Sequence, residues 1–594
     1  MANYAFWQRI RRLAWLSIGG RMRLLASLLV AMTTLFPIAD PPGLEVRGNA
    51  TQPVFSLAEA IHESLFVEVA GVDSDADGRA DRVAVSVRRP RETRLGLKVA
   101  TIMTISPYSG GGAPVTMHAV DLDARGEPEG RGQADEGSPG TEPDSYYDDY
   151  FLPRGYATVD VRALGTSTST GCPTVGDAVE AAGAKAVIDW LNGRARAFTR
   201  DGRPAEATWS TGKVGMIGVS WDGSIPNNVA TTGVEGLETI VPIAGISSWY
   251  SYYRANGAVV APQGYQGEDA DVAGRFILTR PDPPKACERI LSDMARAQDR
   301  ETGDYNAFWR ARDYVRQADG VRASVFVVQG LNDWNVRPDQ ATRWWQALRS
   351  PKKMWLHQGA HLDPMTLRTS EWLRQLHAWF DRWLYDLDTG IETEPAVDVE
   401  TAPGQWHTSS AWPPPGTQQT RAVLEGPARA TYTDQRSRTA EQLVARNPHA
   451  ALWQSAELAE DFRLAGTPKV TLGAVRPSPY LTALLVDVGK DTRATGSQEP
   501  TGENHCFPGG GCYDLFRLET KSSPWKIVSR GWLDTRDQKG TYTWELTPQD
   551  HLFKKGHRIA LVITSTDRDY TLRHPPGAVV EVSKPTLVLP GSAS

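Results

Sequence analysis

The segment Lys213-Val-Gly-Met-Ile-Gly-Val-Ser220-Trp-Asp-Gly223 decides how this chain reads. Val214 to Val219 is an apolar run that predicts a buried strand, and it ends on Gly-x-Ser. Asn227 to Thr232 predicts a helix beyond it. A serine lodged between strand and helix needs small neighbours, because the backbone must turn sharply to lift the hydroxyl clear of the sheet. Ser220 is therefore the expected nucleophile. The strict Gly-x-Ser-x-Gly pattern is broken, since Asp222 stands two after the serine and Gly223 three after.

Working outward, a nucleophile of this kind needs an acid and a base on later strands. Ser324 to Gln329 predicts one such strand, and Asp333 follows it in the loop Gly330-Leu-Asn-Asp-Trp-Asn-Val336. Asp339 is its rival, but it stands beyond Pro338 where a helix should begin, so capping that helix explains it better. Lys353 to His357 predicts the next strand, with His361 in the loop after it and His357 a packed strand residue. The order Ser220, Asp333, His361 is that of α/β-hydrolases. The backbone N–H of Trp221 is one oxyanion donor by construction. The other should come from Ile105-Ser-Pro-Tyr108-Ser-Gly-Gly-Gly112, where a glycine N–H or the Tyr108 hydroxyl could serve.

The surrounding texture fits a covered parallel sheet. Short strands are expected at Arg82–Arg88, Leu97–Ile105, Tyr156–Val161 and Leu237–Ile243, with helices at Ala178–Asn192 and Trp372–Tyr385. A Gly/Glu/Asp/Pro-rich stretch at about 121–145 reads as an exposed loop. The expected fold is α/β: an α/β-hydrolase core in two parts, 53–247 and 321–390, with a helical cap at 248–320 inserted between them. From about 395 to 594 the pattern changes to short alternating strands after a Pro-rich linker, the signature of an all-β sandwich or jelly roll.

Composition narrows the function classes. Net charge is -6 and basic residues are scattered, so nothing marks a nucleic-acid partner. Arginines at 9, 11, 12, 21 and 23 precede the apolar run Leu24–Phe36, which is short for a membrane span. Residues 1–39 thus read as a signal peptide cleaved near Ala39, with Met22 an alternative start and an uncleaved anchor the competing reading. A secreted protein with no stable membrane association is expected. Four cysteines suit export: Cys506 and Cys512 bracket Phe-Pro-Gly-Gly-Gly, leaving Cys172 and Cys287 as a second pair. No Cys-x-x-Cys or His-Glu-x-x-His spacing occurs, and no cofactor is expected for catalysis. Asp73, Asp75, Asp77 and Asp81 alternate around Gly78 like the first part of a calcium loop, but Ala84 occupies the twelfth position. Structural calcium and a plain Asp/Gly turn are both open readings.

These residues resemble the Xaa-Pro dipeptidyl-peptidase family of serine peptidases, related to cocaine-esterase-like and α-amino-acid ester hydrolases. The likeness is densest in Asp160–Gly171, Ala186–Gly193, Gly218–Gly223, Ile246–Arg254, Gly330–Val336 and Gln358–His361. In that family the elbow's second glycine lies three after the serine, as Gly223 does; Trp221 departs from the usual tyrosine. The resemblance implies Tyr108 as the second oxyanion donor, and release of N-terminal dipeptides whose second residue is proline. A free ammonium then needs a carboxylate at fixed distance from the nucleophile, which points to Glu268 in the cap, assisted by Tyr252. A solvated acidic loop is the bland alternative. Trp221, Trp249, Tyr250 and Trp334 are available to line a proline pocket. Peptides with a free N-terminus and proline in second place are the expected partners. An ester or amide hydrolase of the same family, and a non-catalytic carbohydrate-binding protein, are the rival readings.

Overall fold

The computed structural model describes residues 43–123, 131–132, 145–444, 447–536 and 540–593. The segment read as a signal peptide and most of the Gly/Glu/Asp/Pro-rich stretch lie outside those residues. Strand-forming runs converge on one eleven-stranded sheet. Its strands are β1 (Ile61–Glu68), β2 (Arg82–Arg89), β3 (Val99–Ser106), β4 (Ala157–Arg162), β5 (Ala197–Thr199), β6 (Ser210–Val219), β7 (Leu237–Ile243), β8 (Ser324–Gly330), β9 (Lys352–His357), β10 (Val397–Ala402) and β11 (Gln405–Ser409). Their spatial order is β11-β10-β9-β8-β7-β6-β3-β4-β2-β1-β5. From β10 to β4 every pairing is parallel, while β2, β1, β5 and β11 pair antiparallel at the two ends.

Parallel strands are buried on both faces, so they read as continuous apolar runs. β8 is buried along its whole length, and every residue of β9 but the first is buried. Helices α1 (Ala178–Leu191), α2 (Trp221–Ala230), α3 (Trp249–Tyr253), α4 (Ala270–Ile277), α5 (Lys285–Ala297), α6 (Pro338–Ala347) and α7 (Thr369–Tyr385) supply much of the cover. Trp355, Trp372 and Trp379 pack around Phe326 between β8, β9 and α7. Each indole N–H is paired: with Gln375 Oε1 at 3.0 Å, with the Tyr147 hydroxyl at 2.8 Å and with Thr239 Oγ1 at 2.6 Å respectively. That pairing removes the penalty of burying an indole donor.

Strands β10 and β11, in the stretch expected to open the β-sandwich, extend the eleven-stranded sheet: β10 pairs parallel with β9 and β11 folds back on it. Two short strands beside a Pro-rich linker look like the start of a β-sandwich in sequence, since alternation says nothing about which sheet a strand joins. The helix expected at 227–232 spans Trp221–Ala230 instead. Pro226 inside it masked its start.

Beyond β11 the chain forms an eight-stranded and a four-stranded antiparallel sheet. Their inner faces share one apolar core, with Val470, Leu472 and Val582 from one sheet meeting Leu481, Leu485 and Leu561 from the other. The four-stranded sheet carries a long hairpin, Tyr480–Cys506 with Cys512–Asp534, that reaches back to the α/β core. At its tip Gly511 N–H and the Tyr513 hydroxyl donate to Asp149 Oδ2 at 2.6 and 2.7 Å. Cys506 is bonded to Cys512 there. Cys172, after β4, is bonded to Cys287 in α5, which ties the α3–α5 region to the core across 115 residues.

A cross-link over that separation restricts the unfolded chain strongly. Replacing Cys172 and Cys287 together by serine should cost about 2–5 kcal/mol. Scanning calorimetry should show a lowered melting temperature, and an unchanged transition would refute the structural role.

Candidate active site

Because β3, β6, β8 and β9 run parallel, the loops after them leave one edge of the sheet together. Ser220 follows β6 directly, at φ 65° and ψ -124°, a conformation that β-carbon-bearing residues seldom adopt. Its N–H donates to Ile243 O at 2.9 Å, and its carbonyl accepts from Ser224 N–H at 2.9 Å and Ser224 Oγ–H at 2.7 Å. A β-carbon on Gly218 would lie 2.5 Å from Asp222 O, and one on Gly223 would lie 2.6 Å from Gly218 O. Only glycine fits at either place. Trp221 is the first residue of α2, so its N–H has no intrahelical acceptor and faces outward at the positive end of the helix dipole.

Asp333 and His361 meet across β8 and β9. His361 Nδ1–H donates to Asp333 Oδ2 at 2.7 Å. The other carboxylate oxygen accepts from the N–H groups of Asn335 and Val336, both at 2.9 Å. Asp333 is buried, while His361 keeps a quarter of its side chain open to solvent. Burial alone would depress the His361 pKa, but the charge and hydrogen bond of Asp333 outweigh it and raise the pKa above the ordinary value. His357 is a buried strand residue pushed down to about 4 by desolvation. Asp339 sits in the first turn of α6, behind an N-cap that is Arg337, so it does not cap the helix itself. With Pro338 at the first helical position, Asp339 pairs instead with Arg337 at 3.8 Å.

Tyr108 leaves the end of β3 with its ring edge-on to Trp221 and Phe276, at 6.0 and 6.5 Å between centroids. It is 40% exposed, yet desolvation and the nearby charges of Asp222 and Glu268 push its hydroxyl pKa well up. The hydroxyl therefore stays a donor. Its loop is braced by the Ser106 hydroxyl oxygen, which accepts from Tyr108 N–H at 3.1 Å. Asp222 faces Ser106 from below and is pushed up to about 8 by burial.

The acidic run in the cap is not a solvated loop. Asp269 is fully buried and paired with Arg254 and Arg300, each at 2.9 Å, and Asp271 is buried against Gln298 and His118. This network fixes the backbone from which Glu268 projects. Glu268 accepts from the Tyr253 hydroxyl at 2.8 Å, and its charge acts on both Tyr108 and Tyr252. Burial pushes its carboxyl up to about 7, with Tyr253 opposing and Asp269 adding to the rise. Tyr252 donates to Asn335 Oδ1 at 2.7 Å, which links the cap to the loop carrying Asp333.

Three of the aromatic residues available for the pocket turn to other partners. Trp249 is 1% exposed, sits behind Trp221 at 5.0 Å, and spends its N–H on the Tyr314 hydroxyl, so it can only back the site. Trp334 packs on Tyr570 and Arg530 of the C-terminal domain. Tyr250 likewise turns to Tyr305 and Trp309. A residue absent from the sequence reading, Glu180 in α1, accepts from Trp221 Nε1 at 2.9 Å and sets that indole's orientation. Nothing in its local pattern separates it from an ordinary first-turn glutamate.

Carboxylate oxygens of Asp73, Asp75 and Asp81 lie within 4.8 Å of one another. Each is already engaged: Asp75 with Arg280 at 2.5 Å, Asp81 with Ser74, and Asp73 with the N–H groups of Asp77 and Gly78. Asp77 accepts from Arg79 N–H and stands outside the group. Arg280 supplies a positive charge beside this cluster.

Residues 77–363 match the family described as X-Pro dipeptidyl-peptidase (S15 family), and 389–591 match its C-terminal non-catalytic domain. A relative from Bacillus anthracis is 41% identical over 92% of this chain and 90% of its own. The Xaa-Pro dipeptidyl-peptidase of Lacticaseibacillus rhamnosus is 34% identical over 93% of this chain and 79% of its own. Among solved structures, a CocE/NonD family hydrolase from Staphylococcus aureus superposes with a TM-score of 0.59 at 15% identity, covering 90% of this chain and 94% of that one. An α-amino acid ester hydrolase does so at 0.58 and 17%, covering 94% and 100%. Both establish the α/β-hydrolase fold.

Gly218→Ala tests the elbow. Its methyl would meet the Asp222 carbonyl, so Ser220 should move and fluorophosphonate labelling should slow roughly 100-fold. Labelling at the wild-type rate would show that the turn tolerates a side chain.

Proposed function

The chain belongs to the X-Pro dipeptidyl-peptidase (S15) family and is a serine hydrolase of that class, and from this premise we propose an exported exopeptidase that releases Xaa-Pro dipeptides through Ser220, His361 and Asp333. His361 Nε2 takes the Ser220 proton as Oγ attacks the carbonyl carbon of the proline residue. The oxyanion is held by the Trp221 N–H and the Tyr108 hydroxyl. Collapse breaks the peptide bond, and the His361 imidazolium protonates the leaving amine. Water, deprotonated by His361, then hydrolyses the prolyl ester and frees the dipeptide. Asp333 fixes the imidazole tautomer and stabilises the imidazolium.

One placement carries the exopeptidase reading. Glu268 stands close enough to Tyr108 and Tyr252 for its charge to act on both, and it accepts a hydrogen bond from the Tyr253 hydroxyl. An ammonium bound there limits the chain to a short N-terminal piece before the scissile carbonyl. Tyr252 and Trp221 would border the proline ring. Export is supported by the basic and apolar N-terminal segment and the two disulfides. The Asp73–Asp81 loop is read as an ion-paired clamp on Arg280 rather than a calcium site.

A matched substrate pair tests the activity: an Xaa-Pro anilide should be cleaved and its N-blocked form resisted. Turnover of esters alone would favour the ester-hydrolase reading. Ser220→Ala should abolish both activity and fluorophosphonate labelling. Glu268→Gln should raise KM for free-amine substrates by about tenfold or more, as expected for losing a charge-assisted contact. Since burial holds the Glu268 carboxyl near 7, lowering pH through that value neutralises the anchor. KM should therefore rise on the acid side in the wild type and stay flat in Glu268→Gln; parallel profiles would overturn the anchor.

A further inference from the structure

We infer that the C-terminal β-domain positions the catalytic acid and base, with Gln549 and Gly496 as the two points of contact. The loops carrying Asp333 and His361 lie backbone against backbone. A β-carbon on Gly330 would sit 2.0 Å from Ala360 O, Asn332 N–H donates to Gly359 O at 3.2 Å, and Asn332 Nδ2 donates to Gln358 O at 2.6 Å. On the core side the base loop is fastened by Glu400 of β10, which accepts from Gln358 N–H at 2.7 Å and from Gln358 Nε2 through its carbonyl at 2.8 Å. On the other side both loops are held by the C-terminal domain.

Gln549 is buried, and its Nε2 donates to Leu331 O at 2.9 Å, two residues before Asp333. Gly496, in the long hairpin, accepts Ala360 N–H at 2.9 Å through its carbonyl, next to His361. Gly496 has φ +92°, and a β-carbon there would lie 3.1 Å from Ala360 Cβ and 3.2 Å from Asn332 Cβ. The hairpin therefore touches the acid loop and the base loop at one residue. Farther along, Gln498 Nε2 donates to Thr366 Oγ1 at 2.5 Å, and the disulfide-closed tip is anchored on Asp149. An Asp–His pair must keep its geometry within fractions of an ångström while the imidazole shuttles a proton. Gln549 and Gly496 are positioning residues: neither touches substrate, and both act through the loops they hold.

This inference rests on the assignment of Asp333 and His361 as acid and base. The test uses the full chain and an Xaa-Pro anilide. Gln549→Leu removes the donor at similar volume; Gln549→Lys keeps one; Gly496→Ala presses on both loops; Asp333→Asn is the control. Gln549→Leu and Gly496→Ala should lower kcat roughly 10- to 100-fold with KM within about twofold. The acid limb of the kcat profile should move to lower pH as His361 loses its partner's alignment. Gln549→Lys should recover much of the kcat. Unchanged kcat and pH profile in both Gln549→Leu and Gly496→Ala would overturn the inference. So would losses that follow melting temperature alone and that Gln549→Lys does not rescue. If Asp333→Asn itself keeps full activity, it is the catalytic assignment that falls; if Asp333→Asn is inactive while Gln549→Leu is normal, only the positioning role falls.

Discussion

The structure depends on a backbone turn that only small residues can close. Ser220 is held at φ 65° between β6 and α2, and the space around it is filled by other main chain. A β-carbon on Gly218, Gly223 or Gly245 would come within 2.5 to 2.7 Å of a carbonyl oxygen from the neighbouring turn. Ser224 then locks the arrangement, giving its hydroxyl to Ser220 O and accepting Ile246 N–H, both at 2.7 Å. Strain at one residue, of order 1–3 kcal/mol, is held in place by contacts that cannot relax one at a time. The same closure sets Trp221 at the start of α2, where its N–H has no acceptor within the helix.

How far the sequence reveals this follows from the range of each interaction. Buried parallel strands announce themselves as apolar runs, so β6, β7, β8 and β9 are legible, and the residues just past their ends are natural candidates for chemistry. Asp333 and His361 could be singled out from position alone, and they pair at 2.7 Å. Contacts between distant segments leave no local trace. Trp249 and Trp334 are aromatic and near the right motifs, but whether an indole faces a cleft or a neighbouring domain is settled by Tyr314, Tyr570 and Arg530, far away in the chain. Likewise β10 and β11 look like sandwich strands until their partner is known. Gln549 has no sequence signature at all, being one polar residue in a β-rich region.

The cap shows how a carboxylate can be kept both buried and available. Arg254 and Arg300 neutralise Asp269 next door, so the segment has no net need for a further cation. Glu268 accepts from the Tyr253 phenol, and burial pushes its carboxyl up to about 7. Desolvating a carboxylate is costly, and an ammonium placed beside Glu268 would relieve that cost. The arrangement favours a charged ligand over a neutral one by more than a solvent-exposed acid could, because water screens the latter. In the proposed reading, selectivity for a free amine would follow from burial as much as from charge.

The two ends of the active site are consequently held by different means. Ser220 and the Trp221 N–H are fixed from within the core, by short-range backbone packing around β6 and α2. Asp333 and His361 stand on longer loops, and longer loops need outside support to keep a proton-transfer geometry. That support comes from β10 on one flank and from the C-terminal domain on the other. A hairpin of this length, anchored at its tip on Asp149 and crossing the base loop at Gly496, would be an extravagant way to fill surface. Its course makes sense if the domain it belongs to contributes rigidity to the base, so that a domain without reactive groups still takes part in the reaction.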